Sequence, residues 1–218
     1  MSLIHRAVAI DGPAASGKST VAKRLADSLG MVMVNSGAMY RAVTWQLLQD
    51  GVSPKDEGAI VDAVSKMEIT CGMEEGHSTI GINGRFLNEE LRSSKVNNFV
   101  SSVAAVPEVR ERLVKLQREY LETSDIVMEG RDIGSVVFPD TPYKLYIDAS
   151  EEVRRARRAA DGEVDAVAVR DAQDSQRKTA PLRISDGAIV IDSSHLDIEE
   201  VVEAAKEALK SLGWEDLS

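Results

Sequence analysis

A single cysteine, Cys71, stands among 218 residues, which excludes an internal disulfide and makes a reducing compartment the expectation. No apolar run approaches the ~20 residues that a membrane-spanning helix needs. Positive charge is in deficit: 26 Lys and Arg against 36 Asp and Glu leave a net charge of -10. That balance argues against extended binding to DNA, RNA or an anionic membrane surface. The three histidines, His5, His77 and His195, are scattered and indicate neither a metal cluster nor a catalytic triad. Internal repeats and low-complexity linkers are missing as well. The first residues run almost at once into an apolar stretch, so no signal peptide is expected ahead of the fold. These absences leave a cytoplasmic protein, expected as a monomer. With 43% hydrophobic and 28% charged residues, the composition suits one α/β domain with room for an insertion.

What is present begins with Gly12-Pro13-Ala14-Ala15-Ser16-Gly17-Lys18-Ser19, a match to G-x-x-x-x-G-K-[ST]. A strand-like run, Ala7 to Ile10, precedes it. A helical pattern with Val21, Leu25 and Leu29 on one face follows, and Gly30 is the expected stop. Small residues let backbone N–H groups turn toward phosphate oxygens at a helix N-terminus. Lys18 can reach the β- and γ-phosphates, and the Ser19 hydroxyl can take a place on Mg²⁺. A nucleoside-triphosphate site is therefore expected, with the nucleotide and the acceptor left open.

The remaining chain alternates strand and helix. Met31 to Val34 reads as a buried strand, followed by a helix entered through Asn35 and Ser36 and ended at Asp50-Gly51. Ser36 and Arg41 stand at a strand-to-helix junction, the usual ligand edge of an open α/β sheet, or serve as a plain helix cap and a solvated arginine. From about Asp56 the pattern changes: short strands around Asn83-Gly84 predict a hairpin within an inserted subdomain over residues 62–104. Cys71, on one of those strands, is expected to be buried and inert. Two helices follow, the second opened by Pro107, with Ser101 and Arg110 near their joint. The strand ending at Glu129 leads into Gly130-Arg131-Asp132-Ile133-Gly134, either a ligand loop or a turn with a surface ion pair. Arg154, Arg157 and Arg158 share a face of the next helix, as a solvated stripe or a phosphate clamp. Arg170, Asp174 and Arg177 fall at i, i+4 and i+7, an exposed ion-pair ladder or a lid over a sugar-phosphate.

In this order, Gly12 to Ser19, Ser36 to Arg41, Ser101 with Pro107 and Arg110, Gly130 to Gly134 with the run ending at Pro139, and Arg170/Asp174/Arg177 resemble the bacterial cytidylate (CMP) kinases, nucleoside monophosphate kinases of the P-loop type. The resemblance runs nearly end to end. It implies an α/β fold: a P-loop parallel sheet flanked by helices (residues 1–61 and 105–218), an inserted monophosphate-binding subdomain (62–104) and a lid (about 159–180). It implies ATP and CMP or dCMP as substrates, with Mg²⁺. Gly12 to Ser19, Thr20 and Arg157 would bind ATP. Ser36, Arg41, Arg131 and Arg177 would hold the CMP phosphate, Ser101, Arg110 and Asp132 the cytosine, and Arg170 and Asp174 the ribose. Lys18, Arg131, Arg158 and Arg177 would carry the transfer, and Ser19 the metal. The carboxylate ordering the metal's waters stays open among Asp11, Glu129 and Asp132. One departure stands out: the stretch between Arg158 and Arg170 is shorter than the family's lid leads one to expect.

Other classes fit less well. A GTPase lacks its N-K-x-D motif here, an ABC-type ATPase its L-S-G-G-Q, and neither accounts for the arginines. A kinase acting on UMP or another monophosphate is the runner-up.

Overall fold

Strand β1 (Ala7–Asp11) is buried at every position, and the sheet is built outward from it. The computed structural model describes residues 5–160 and 182–215. Within them, β2 (Val32–Asn35), β6 (Ile126–Gly130), β7 (Lys144–Asp148) and β8 (Ile189–Asp192) run parallel to β1. With β3 (Ile69–Glu74) and β4 (His77–Ile82) at one edge, the sheet order is β3-β4-β2-β6-β1-β7-β8. Side chains alternate along β1: Ala7 and Ala9 enter one core, Val8 and Ile10 the other. The Val8/Ile10 side is covered by α1 (Lys18–Leu29) and α7 (Ile198–Ser211) through Val21, Leu25, Ala205 and Leu209. The Ala7/Ala9 side is covered by α2 (Ser36–Gln49), α3 (Glu57–Lys66), α4 (Ser94–Val103) and α5 (Pro107–Glu119). Both faces of the central strands are thus apolar, which is why they read as continuous hydrophobic runs. The P-loop-type α/β sheet expected from the sequence is the observed fold. Helix α6 (Glu151–Ala160) follows β7, and no described helix is long and apolar enough to cross a membrane.

Helix ends fall where the local chemistry predicts. Gly30 closes α1 in the left-handed conformation at φ 63°. Pro107 opens α5, where its missing N–H costs nothing. The cap of α2 is Asn35, whose side chain accepts from the Ala38 N–H at 2.9 Å, so Ser36 is released from that role.

Residues 62–104 include β3 (Ile69–Glu74), β4 (His77–Ile82) and β5 (Arg85–Leu87), paired antiparallel. Asn83-Gly84, at φ 51° and 79°, is the hairpin expected from its sequence. Glu75-Gly76 makes the same kind of turn at φ 49° and 77° without advertising it, since left-handed backbone is uncommon at glutamate. Strand β4 joins the main sheet beside β2 through Met33 and His77, and Ile80, Ile82 and Leu87 share a core with β1 and β6. Cys71 is half-buried on β3, and burial pushes its thiol up to about 11 against an opposing hydrogen bond from Tyr120. It is a poor nucleophile near neutral pH.

Candidate active site

Strands β2, β6 and β1 are neighbours and parallel, so their carboxyl ends open on one edge. Gly12–Ser19, Asn35–Arg41 and Glu129–Gly134 therefore leave the sheet side by side. The chain passes from β1 to β2 on one side, while β7 flanks β1 on the other. This is the reversal of strand order at which open α/β sheets form a ligand crevice.

The first loop is held tightly. A Cβ on Gly12 would come 2.1 Å from the Ile147 carbonyl oxygen, so only glycine fits the close approach to β7. Ala15 and Gly17 take left-handed φ values of 60° and 88°, and α1 starts without a side-chain cap. The Thr20 N–H turns back to Gly17 O at 3.0 Å, and the positive end of the helix dipole faces the loop, where an anion is favoured. The carbonyls of the loop are already engaged. Arg154, buried on α6, donates to Ala14 O at 3.3 Å and to Ala149 O at 2.9 Å. Arg157 donates to Ala15 O at 3.5 Å and to Ser193 O at 2.8 Å, and the Ser193 hydroxyl donates to Ser16 O at 2.9 Å. Peptide C=O and N–H groups point in opposite directions, so the arginines brace the loop from its carbonyl side. Arg158, one residue on, is half-buried, and Thr20 is exposed. The Ser16 Oγ is buried without a hydrogen-bond partner.

Lys18 is buried and donates to Pro13 O at 3.0 Å, with its Nζ 4.0 Å from Glu129 Oε2. Ser19 Oγ donates to Glu129 Oε1 at 2.9 Å. Of the three carboxylates left open by the sequence, Glu129 is the one beside the P-loop serine. Asp132 is engaged by Arg110, and Asp11 accepts from the Ile133 and Gly134 amides at 2.8 Å each. A hydroxyl and a carboxylate side by side form a hard oxygen set suited to Mg²⁺. Among the described residues there is no cluster of three His, Cys, Asp or Glu that would hold a metal alone. A shared site with substrate phosphates is the consistent alternative.

Across the edge, Ser36 Oγ donates to Glu129 O at 2.7 Å. A Cβ at Gly130 would fall 2.5 Å from that hydroxyl, so the glycine permits the contact. Arg41 is no solvated arginine: it donates to Leu91 O at 3.3 Å and to Asn97 Oδ1. Asn97 is itself buried and donates to Arg92 O at 3.2 Å. Arg110 and Asp132 form a buried ion pair, with side chains 4% and 6% exposed. Arg110 also donates to Ala104 O at 3.3 Å and lies 5.6 Å from the Tyr40 ring centroid. Asp132 is buried and turns inward to Arg110, so the loop is not a turn closed by a surface ion pair. Arg131 is half-buried and donates to Gly130 O at 3.3 Å. Ser101 is buried on α4. Arg170, Asp174 and Arg177, with most of the expected lid, lie outside the described residues.

A family model described as cytidylate kinase matches residues 8–211, nearly the whole chain. The chain belongs to the cytidylate kinase family. Cytidylate kinase of Caldanaerobacter subterraneus subsp. tengcongensis is 43% identical over 214 residues, covering 93% of this chain and 94% of that protein. The Streptomyces avermitilis cytidylate kinase is 41% identical over 207 residues, covering 90% and 89%. A gluconokinase structure from Sinorhizobium meliloti superposes with a TM-score of 0.51 over 95% of this chain and 93% of that one. At 13% identity that likeness speaks for the fold alone. Membership of the cytidylate kinase family makes the protein a kinase, a nucleotide-dependent phosphotransferase.

Two groups beside this cytidylate kinase family site escaped the sequence reading. Asn97 carries no signal that separates it from any helical asparagine. Ser193 reaches the P-loop region only through the sheet. The sequence marks Arg154 through the helical face it shares with Arg157, and Asp11 as one of three carboxylates, but neither with the contact it makes.

Proposed function

We propose that the protein transfers the γ-phosphoryl group of ATP to CMP, and to dCMP, giving the diphosphate and ADP. The observation that carries this reading is the buried Arg110–Asp132 pair at the same sheet edge as the P-loop. Cytosine offers an acceptor at N3 beside a donor amine at C4. A guanidinium and a carboxylate side by side answer that edge, while uracil presents the opposite order. Mismatched buried groups cost about 1–3 kcal/mol each, enough for strong discrimination. Ser101 adds a hydroxyl to the same reading. Ser36, Arg41, Arg131 and Arg177 hold the CMP phosphate, and Arg170 and Asp174 the ribose. Gly12 to Thr20 and Arg157 bind ATP. Residues 62–104 act as the monophosphate-binding subdomain, and about 159–180 as the lid.

The phosphate oxygen of CMP is already a nucleophile, so the reaction needs in-line positioning and charge neutralisation rather than a covalent intermediate. Lys18, released from Pro13 O, reaches the β- and γ-phosphates, while Arg131, Arg158 and Arg177 offset the charge of two anionic substrates brought together. Mg²⁺ would be held by Ser19 with Glu129 behind it, and supplies further neutralisation of the ATP phosphates. Lid closure excludes water and suppresses ATP hydrolysis. The protein works as a cytoplasmic monomer, without a nucleic-acid or membrane partner. The deciding assay is ADP release from Mg-ATP with CMP, dCMP, UMP, AMP and GMP, each against a control without acceptor. Turnover with CMP and dCMP, weak turnover with UMP and almost none alone is expected. Equal turnover with UMP overturns the base-reading assignment, and turnover without acceptor overturns the kinase reading.

A further inference from the structure

Asp11 ends β1 directly before Gly12 and is 2% exposed. Its two carboxylate oxygens accept from consecutive backbone amides of another segment, Ile133 and Gly134, at 2.8 Å each. Those amides open the helical turn Ile133–Val137, which follows Arg131 and Asp132. Such a turn is ordinarily capped by the residue before it, but the Asp132 side chain makes no capping bond. Asp132 is committed to Arg110, so the cap comes from the strand next door. We propose that Asp11 is a positioning residue that fixes the Arg131–Asp132 loop against the strand leading into the P-loop. Asp11 and Gly130 are register partners, and Gly12 is pinned against Ile147, so the linkage is short and stiff. Burying a carboxylate is costly, and a neutral local cap would satisfy the same amides at less expense. What Asp11 adds is a fixed spacing between donor and acceptor sites, where small displacements cost rate.

The inference rests on Arg131 and Asp132 binding CMP. Asp11→Asn keeps one acceptor and sets an NH₂ group against a backbone N–H. Steady-state kinetics should give a KM for CMP raised about tenfold or more, with the KM for ATP within about twofold of wild type. Unchanged constants for both substrates overturn the proposal, as does a proportional loss in both, which marks general loosening. Should the variant fail to fold, hydrogen exchange on the wild-type protein carries the test. The Ile133 and Gly134 amides should be protected without substrate and further slowed by CMP, and unprotected amides overturn the proposal. Failure of the underlying reading is distinguishable, because wild-type protein would then not turn over CMP at all.

Discussion

The donor and acceptor halves of the proposed site are built by different means. The donor half is one contiguous loop, Gly12 to Ser19, whose binding groups are mostly backbone amides, with arginines bracing its carbonyls from behind. The acceptor half is a set of side chains from β2, α2, α4, α5 and the loop after β6, each oriented by a partner of its own. A backbone site needs small residues at fixed spacing and tolerates any fold that offers a strand and a helix. A side-chain site needs the tertiary structure first. On the proposed function, the donor half can serve many kinases, while discrimination between monophosphates belongs to the acceptor half.

Three perturbations would break or sharpen that contrast. Lys18→Met should lower kcat by about 10³-fold, the order expected when a group stabilising the transferring charge is removed. CMP affinity by calorimetry should stay within about twofold, and a comparable loss there would show that the halves are not separable. Asp132→Ala should cost about 3–5 kcal/mol of stability, because it strands the buried Arg110 guanidinium. The double variant Arg110→Met/Asp132→Leu should regain most of that stability in chemical denaturation, yet not the preference for CMP over UMP. If the double variant is as unstable as the single, the pair is not an isolated reader.

The smallest effect is pH-dependent. Burial pushes the Asp11 carboxyl up to about 7, helped by the neighbouring Asp132 and opposed by the Ile133 and Gly134 amides and by Arg131. A folded-state pKa above the unfolded value means that the contribution is fully present below about 4 and is lost as pH rises through 7. The limit from one group is about 1.4 kcal/mol per pH unit. Urea titrations from pH 4 to 8 should give a steeper fall for wild type than for Asp11→Asn, and identical slopes would show that Asp11 does not titrate there.

Both the P-loop and its flanking elements were legible because they rest on local chemistry: a hydrophobic run, glycines in sequence, a helical stripe. Pro107 and Gly30 as helix boundaries follow from the same kind of argument. Glu75-Gly76 was not legible, since a turn forced by strand pairing leaves no mark on glutamate. Arg41 and Arg154 had bland readings as solvated arginines and Arg131 as part of a surface ion pair, and only packing decides between these and a bound state. That Glu129, of the three carboxylates, stands beside Ser19 required distances that no spacing in the chain encodes.

By itself, then, the order of residues determined a P-loop, an alternating α/β core, an acidic net charge and, through motif order, membership of a family. Tertiary structure alone decided that β2, β6 and β1 lie side by side, that Arg110 faces Asp132, and that Glu129 stands beside Ser19. The division has a physical cause. Helices, turns and phosphate loops are made by residues close in sequence, whereas a specific ion pair or carboxylate geometry is set by distant strands brought into register by the hydrophobic core.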